Sequence, residues 1–213
     1  MPDLQRHLAS ALVAFAVSGS AGPALAQSAP IVQPGAPGKP SRVITPEDAA
    51  RLRPDVSAAD IKFMQGMIGH HAQAVEMVQL LNQNSDNVDM KRLGLRIQVS
   101  QDDEMNMMRT WLKDRGQEIP GPHAHHEPGG FMPGMLTSEE MATLAAAKGK
   151  EFDRLFLMGM IKHHGGAISM VEELFKTPGA GQEGGIFAFA SDVDSDQRME
   201  IDRMGAMLKE IMK

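Results

Sequence analysis

The chain has 213 residues, a net charge of −6 and no cysteine. This charge gives no sign of the basic face that nucleic-acid binding requires, and the absence of cysteine excludes disulfides and thiolate metal ligands. Eighteen methionines, against only 4% aromatic residues, predict a core of aliphatic and thioether side chains. Any soft metal ligand in this chain must therefore be methionine.

The first 26 residues have the pattern of an export signal. Arg6 and His7 precede an apolar run, Leu8 to Val17, that is too short to span a bilayer. Ala24-Leu25-Ala26 matches a small-x-small cleavage site. We therefore predict a signal peptide over residues 1–26 and a periplasmic or secreted mature chain, with an uncleaved anchor as the alternative.

Residues 27–43 contain four prolines and two glycines, which predict a flexible linker outside the fold. Helical periodicity dominates the remaining residues, 44–213. We divide them into a first repeat over 44–116, a His-rich loop over 117–135 and a second repeat over 136–213.

Each repeat is expected to begin with a short helix. Thr45 before Pro46 caps the first, and the capping box from Thr137 to Glu140 begins the second. Apolar periodicity then predicts four long helices, over about residues 61–81, 88–115, 152–175 and 186–212.

The two repeats match in sequence. Phe63 to Leu81 aligns with Phe156 to Leu174 without a gap, and Gln101 to Leu112 resembles Gln197 to Leu208. One helical hairpin cannot bury its apolar face alone, whereas two can pack against each other. The prediction is an all-α fold, a four-helix bundle of two duplicated hairpins with approximate two-fold symmetry.

Adjacent histidines lie in the apolar arc of the first long helix of each repeat, as His70-His71 and His163-His164. Leaving a buried imidazole nitrogen unpaired costs about 1–3 kcal/mol, so each ring needs a partner. The opposite face of the first of these helices is expected to be solvated, at Lys62, Gln65, Gly69, Gln73, Glu76 and Gln79.

Methionines accompany both histidine pairs and favour a metal site over core histidines with internal partners. Met67 and His70 are three residues apart, so one helix can offer a thioether and an imidazole to the same ion. Thioether selects Cu(I), and imidazole serves either copper state; zinc more often uses cysteine, and calcium requires oxygen. The candidate ligands are Met64, Met67, His70, His71, Met77, Met160, His163, His164 and Met170.

Two glutamates of the other long helices, Glu104 and Glu200, also fall in apolar stripes. Each could hold a histidine N–H, bind the metal directly or reach water at the end of the bundle. The loop histidines His123, His125 and His126 form either an accessory copper-capture site or a polar loop without a role.

The text Gly159 to Met170 and, less closely, Gly66 to Met77 resembles the Gly-Met-Ile-x-His-His-x-x-Ala-Ile-x-Met hallmark of the family known as domain of unknown function 305. The resemblance covers Thr45 to Met212. It implies a ferritin-like four-helix bundle, frequent export and, in some members, periplasmic copper binding. The chain departs from the pattern at Gly165-Gly166, which predicts a looser helix by about 1 kcal/mol per glycine.

The resulting hypothesis is an exported, non-enzymatic copper-binding protein for sequestration or transfer. Its expected partners are copper ions, as Cu(I) or Cu(II), and another periplasmic copper protein, with no nucleic acid and no stable membrane insertion after signal cleavage. The alternatives are a ferritin-like di-metal oxidase, for which the Glu-x-x-His pairs are missing from the helices, and a structural bundle without metal. The sequence leaves the number of ions and the oligomeric state open.

Overall fold

The computed structural model describes residues 29–33, 40–51, 54–121 and 131–213. These residues belong to two compact units that divide after Arg51. Among the described residues, the first unit contains two short strands and one short helix, and the second contains five helices.

A small antiparallel ribbon forms in the first unit. Strand β1 (Ile31–Gln33) pairs with β2 (Arg42–Ile44), and the Arg42 side chain donates a 2.6 Å hydrogen bond to that of Gln33. β1 and the first two residues of β2 lie within the range 27–43, for which we expected a linker. Strands of three residues are too short for the alternating pattern from which a strand can be predicted.

The short helix α1 (Pro46–Arg51) follows the ribbon. The Thr45 hydroxyl accepts the backbone N–H of Asp48 at 3.1 Å, which is the cap that the sequence predicts.

The second unit confirms the predicted all-α fold. Its helix ends agree with the predicted ones within about three residues. The helices are α2 (Ala58–Asn84), α3 (Val88–Asp114), α4 (Ser138–Ala146), α5 (Gly149–Lys176) and α6 (Gly184–Ile211).

Side-chain caps begin four of these five helices, all except α5. Ser57 and Asp60 form a reciprocal capping box at α2, and Thr137 and Glu140 form the expected one at α4. At α6 the Glu183 carboxylate accepts two backbone N–H groups of the first turn. The caps supply partners for amides that have none within the helix.

The four long helices form the bundle. α2 packs along α3, α5 packs along α6, and the two hairpins meet where α2 contacts α5, with α4 lying against both. One apolar cluster joins the beginning of α2 to the end of α5, and a second joins the end of α2 to the beginning of α5. α2 and α5 therefore run antiparallel. Within the described part of the chain, no helix is long and apolar enough to cross a membrane.

α2 and α3 approach each other closely at Gly94. A Cβ atom at this position would overlap the Leu81 side chain. The equivalent position of α6 is Ala190, which is fully buried in its own hairpin. The missing side chain at Gly94 thus sets the spacing of the first hairpin.

Candidate metal centre

Polar side chains form a layer between the two apolar clusters. On α2 the first cluster ends at Ile68 and the second begins at Ala74, and the histidines lie between. On α5 the order of the clusters is reversed, with Met160 before and Ala167 after the histidines. We call this the polar layer; its members are His70, His71, Gln101, Glu104, His163, His164, Gln197 and Glu200.

The two histidine pairs occupy equivalent places in the layer. His70 and His163 stack across the hairpin interface with ring centroids 3.8 Å apart and planes inclined by 38°. The His71 ring lies 6.5 Å from His70, and the His164 ring lies 6.2 Å from His163. None of the four side chains is more than 1% exposed.

The inner pair donates to backbone carbonyls. His70 Nε2 lies 3.0 Å from the Pro133 carbonyl oxygen, and His163 Nε2 lies 3.0 Å from the His70 carbonyl oxygen. A carbonyl oxygen can only accept, so both rings carry their proton on Nε2.

The outer pair donates to carboxylates. His71 Nε2 lies 2.6 Å from Glu104 Oε2, and His164 Nε2 lies 2.8 Å from Glu200 Oε2. Each glutamate has a second partner that differs between the repeats. Ser100 donates to Glu104 at 3.0 Å, whereas the Arg96 guanidinium lies 3.5 Å from Glu200.

The carboxyl group of Glu104 stays ionised in this environment. Burial raises its pKa, but the hydrogen bond and charge of His71 and the hydrogen bond of Ser100 outweigh burial and hold the pKa below its usual value.

The carboxylates also mark where the layer approaches solvent, since the Glu104 and Glu200 side chains are 16% and 14% exposed. Nearby Asp196 has a raised pKa, through burial and then the charges of Glu104, Asp192 and Glu200.

The second nitrogen of every ring is buried and has no partner. This holds for Nδ1 of His70, His71, His163 and His164. Because Nε2 carries the donated proton, Nδ1 presents a lone pair in the neutral form of each ring. Metal-binding histidines have this arrangement, in which an outer oxygen holds one nitrogen and the metal takes the other.

The inner rings resist protonation. Burial lowers the pKa of His70 to about 3, and the charges of His71 and His164 act in the same direction, against the hydrogen bond to Pro133. Burial and then the charges of the other three rings likewise lower the pKa of His163 well below its usual value. Neutral imidazole is the form that binds a metal ion.

The last methionine of each motif crosses to the other hairpin. The Met77 methyl group lies 3.2 Å from the place that a Cβ on Gly159 would take, and the Met170 methyl group lies 3.5 Å from the corresponding place at Gly66. Each of these glycines precedes a histidine pair by about one turn. Helical spacing alone had grouped each thioether with the histidines of its own helix.

The other candidate methionines are part of the packed interior. Met64 and Met67 lie in the first apolar cluster, Met77 and Met160 lie in the second, and none has exposed surface. Met170 is only partly buried. Thioether sulfur therefore lies on both sides of the polar layer.

Two glutamines complete the layer with unused hydrogen-bonding groups. Gln101 Oε1 and both side-chain polar atoms of Gln197 are buried without a partner.

Within the described ranges, no three His, Asp or Glu side chains converge closely enough to hold an ion as they stand. The donors nevertheless fit a soft or borderline metal, because four imidazole rings lie in the polar layer and thioether groups lie in the apolar clusters on both sides of it.

Gln73, which we assigned to the solvent face, is 4% exposed. Its side chain forms two hydrogen bonds with the backbone of Leu136, at 2.9 and 2.7 Å. Gly69, also assigned to that face, is buried as well. The assignment was wrong because the loop before α4 covers this side of α2, which the periodicity of one helix cannot indicate.

The same loop also contacts α5. A Cβ on Gly166 would overlap the Pro133 carbonyl group and come within 2.6 Å of Gly134 Cα, which itself has a positive φ of 75°. The absence of a side chain at Gly166 therefore allows the loop to pack against α5. The sequence had indicated only that this glycine lowers helix propensity. The loop histidines His123, His125 and His126 lie outside the described residues.

Comparisons with known proteins agree with this architecture. The profile of a family described as a domain of unknown function, DUF305, matches residues 60–208. A candidate secreted DUF305 protein from Streptomyces coelicolor is 29% identical over 72% of this chain and 93% of its own, with a TM-score of 0.63. A DUF305 fragment from Deinococcus radiodurans is also 29% identical, over 74% and 99% of the two chains, with a TM-score of 0.63.

CopM in its Cu(II)-bound form is similar as well. It is 25% identical, over 71% of this chain and 96% of CopM, with a TM-score of 0.58. A comparison with curated protein sequences finds no match to the chain.

Proposed function

Because the chain belongs to the DUF305 family, we propose that it is a copper-binding protein whose ions bind at the polar layer. The observation that carries the proposal is the set of four buried Nδ1 atoms without a partner. Each ring is oriented through Nε2 by an oxygen acceptor, so the lone pairs are fixed before an ion arrives.

Copper suits the available donors better than other common metals. The donors are neutral imidazoles and thioethers, and the chain has no cysteine. Zinc sites more often use thiolate or carboxylate with imidazole, whereas thioether favours Cu(I) and imidazole accepts both copper states. The likeness to CopM, solved with Cu(II), supports the same choice. Bound copper would use the Nδ1 lone pairs, and nearby sulfur would favour its reduced state.

A purely structural layer explains the histidines less well. A buried polar atom without a hydrogen bond costs about 1–3 kcal/mol, and the four imidazoles contribute one such atom each. Apolar side chains of similar size would avoid this cost. We infer that the unpaired nitrogens are retained because they bind an ion.

We propose no catalytic role for the layer. Di-metal oxidases of the ferritin type use four carboxylates together with Glu-x-x-His pairs. The polar layer contains two carboxylates, Glu104 and Glu200, and each already accepts a histidine N–H. Sequestration or transfer of copper therefore fits this donor set better than oxidation of a substrate.

We place this activity outside the cytoplasm, in the periplasm or as a secreted protein. The expected signal peptide over residues 1–26 and the absence of cysteine both favour an exported chain. A transfer role implies a second copper protein in the same compartment as donor or acceptor. The layer would release copper to it through the side where Glu104 and Glu200 approach solvent.

Copper stoichiometry tests the proposal. The purified chain is dialysed against buffered Cu(II), or against Cu(I) under reductant, and bound metal is measured by mass spectrometry. We expect replacement of His163 and His164 by alanine to remove at least half of the bound copper, because it eliminates two of four lone pairs. Unchanged stoichiometry in a variant that keeps its helical circular dichroism would contradict the proposal.

A second variant distinguishes copper binding by the layer histidines from copper binding by the loop histidines. Replacing His123, His125 and His126 by alanine removes the three histidines of the His-rich segment and keeps all four histidines of the polar layer. We expect this variant to retain the copper bound at the layer. Loss of all copper in it, with the layer intact, would assign the binding to the loop instead.

A further inference from the structure

We propose that Met132 and Met170 form a second, outer site for a soft monovalent cation, Cu(I) or Ag(I). The proposed copper function guides only the choice of ion. Met132 belongs to the loop before α4, and Met170 belongs to α5. Both thioethers lie against the bare backbone of Gly66 on α2, and both residues are partly exposed.

The geometry at Gly66 brings the two side chains together. The Met132 sulfur lies 3.2 Å, and the Met170 methyl carbon 3.5 Å, from the place that a Cβ on Gly66 would occupy. The Met132 sulfur and the Met170 methyl group therefore approach the same point of the α2 surface. Flexible, unbranched side chains of this kind can bring both sulfur atoms to one ion.

A comparison of the two repeats distinguishes this site from ordinary packing. The equivalent point on α5 is Gly159, where the Met77 methyl group meets Leu136. Met77 has no exposed surface there and Leu136 is 5% exposed, so that position is sealed. The loop thus places an apolar side chain at the sealed position and a second sulfur at the open one.

The open position faces a cavity of about 680 Å³. Its lining includes Phe63, Phe131, Met132 and Met170, with Lys62 and Glu173 among its charged residues. A soft, weakly hydrated ion could enter this space and exchange its water for thioether sulfur. The cavity gives access that the fully buried methionines lack.

The outer site lies close to the polar layer. Gly66 precedes His70 by four residues, which corresponds to about 6 Å along a helix axis. Met132 directly precedes Pro133, whose carbonyl holds His70 Nε2. An ion at the outer site would therefore be one helical turn from the inner histidines, and we infer that it is the point at which copper enters.

Titration with Ag(I), which does not change oxidation state, tests this inference. We expect the double variant Met132→Leu/Met170→Leu of the full chain to bind one Ag(I) fewer than the wild type in isothermal titration calorimetry. Leucine keeps the apolar volume and removes the sulfur. Met158→Leu is the matched control, because Met158 is a 48% exposed thioether on the same helix and does not line the cavity.

Methyl resonances of ¹³C-labelled methionine identify the ligands directly. Addition of Ag(I) should shift the signals assigned to Met132 and Met170 both in the wild type and in His163→Ala/His164→Ala. Equal Ag(I) stoichiometry in the wild type and the double methionine variant would overturn the outer site. If the methionine variant loses an ion while the histidine variant loses none, the outer site stands and the proposed role of the polar layer fails.

Discussion

Gln73 of α2 and Gly166 of α5 occupy the same position in the two repeats, and both contact the same loop. Gln73 forms two hydrogen bonds with Leu136, whereas Gly166 lets Pro133 rest on the helix backbone. The Pro133 carbonyl accepts the hydrogen bond from His70 Nε2. By their contacts with the loop, Gln73 and Gly166 therefore help to position one hydrogen bond of the polar layer. The two positions have diverged so that one holds the loop and the other makes room for it.

Replacement of Gly166 by alanine should destabilise the fold by about 1–3 kcal/mol, because the new methyl group overlaps the Pro133 carbonyl. Gly165→Ala is the matched control, since a Cβ there meets nothing within 4 Å. It should be neutral or stabilise the chain by up to about 1 kcal/mol through helix propensity. Urea unfolding of both variants measures the difference, and equal free energies of unfolding would contradict the role given to Gly166.

Loss of the Gln73 side chain should also be costly. Gln73→Ala leaves the buried backbone N–H and carbonyl of Leu136 without these partners, at an expected cost of about 1–3 kcal/mol. Gln79→Ala, on the exposed side of the same helix, should change stability by less than about 0.5 kcal/mol. Thermal unfolding measures the stability of the two variants. Equal losses of stability in Gln79→Ala and Gln73→Ala would contradict a stabilising role for the Gln73–Leu136 hydrogen bonds.

Stability of the metal-free chain should fall with acidification below pH 6.5. His70, with a pKa of about 3, and His163, with a pKa also far below 6.5, remain neutral when folded. In the unfolded chain both bind protons near pH 6.5, so acid favours unfolding. Two such rings reduce the free energy of unfolding by about 4 kcal/mol between pH 7 and pH 5.

Urea titrations at pH 5, 6, 7 and 8 measure this dependence. Apart from Asp196, whose pKa is raised, the carboxylates titrate mainly below this window, and stability should be nearly constant from pH 7.5 to pH 8. In His163→Ala the slope should be about half as steep, since one of the two rings is gone. A flat profile from pH 7 to pH 5 would show that these rings can be protonated in place.

The carboxylates should tune copper affinity through the histidines. Glu104→Gln or Glu200→Gln weakens the acceptor for a ring N–H, and outer partners of this kind change metal affinity by about 10–100-fold. Glu210→Gln, on the exposed end of α6, is the control and should leave affinity unchanged. Competition with a chromophoric copper chelator supplies the dissociation constants. Loss of a whole equivalent of copper, without a graded change in affinity, would instead make the glutamate a direct ligand.

Close packing at Gly94 gives a prediction away from the metal centre. Gly94→Ala forces its methyl group against Leu81 and should cost about 1–3 kcal/mol. A Cβ at Gly205 of α6 meets nothing within 4 Å, so Gly205→Ala should stabilise the chain by up to about 1 kcal/mol. Chemical unfolding measures the change in the free energy of unfolding, which should fall in Gly94→Ala and rise in Gly205→Ala. An increase in Gly94→Ala would show that α2 and α3 can move apart without cost.

The long helices and the buried histidines were predictable because they depend on local periodicity. His70 and His163 lie in broad apolar arcs of duplicated helices, and an apolar arc is buried when two hairpins pack. The capping box at Thr137 was predictable for the same reason, since its partners are three residues apart. The copper assignment itself stays a proposal, supported by chemistry and by relatives.

Other features depend on contacts between distant parts of the chain. The Gln73–Leu136 hydrogen bonds join residues 63 positions apart, and no local pattern distinguishes such a glutamine from a solvated one. The crossing of Met77 and Met170 to opposite helices has the same cause, because helical spacing describes one helix at a time. Residues 31–33 form a strand only through pairing with 42–44, beyond the reach of a three-residue pattern.

The polar layer also determines how the two hairpins align. Sliding α5 along α2 by one turn, about 5.4 Å, would move the His163 ring from His70 into an apolar cluster and leave its nitrogens without their oxygen acceptors. Two apolar clusters alone would tolerate such a shift more easily, since aliphatic and thioether side chains repack. A buried polar layer in the middle of the bundle therefore selects a single register, in the way that one polar core position can fix the register of a coiled coil. The residues proposed to bind copper thus also help the two hairpins to reach the one alignment in which copper can be bound.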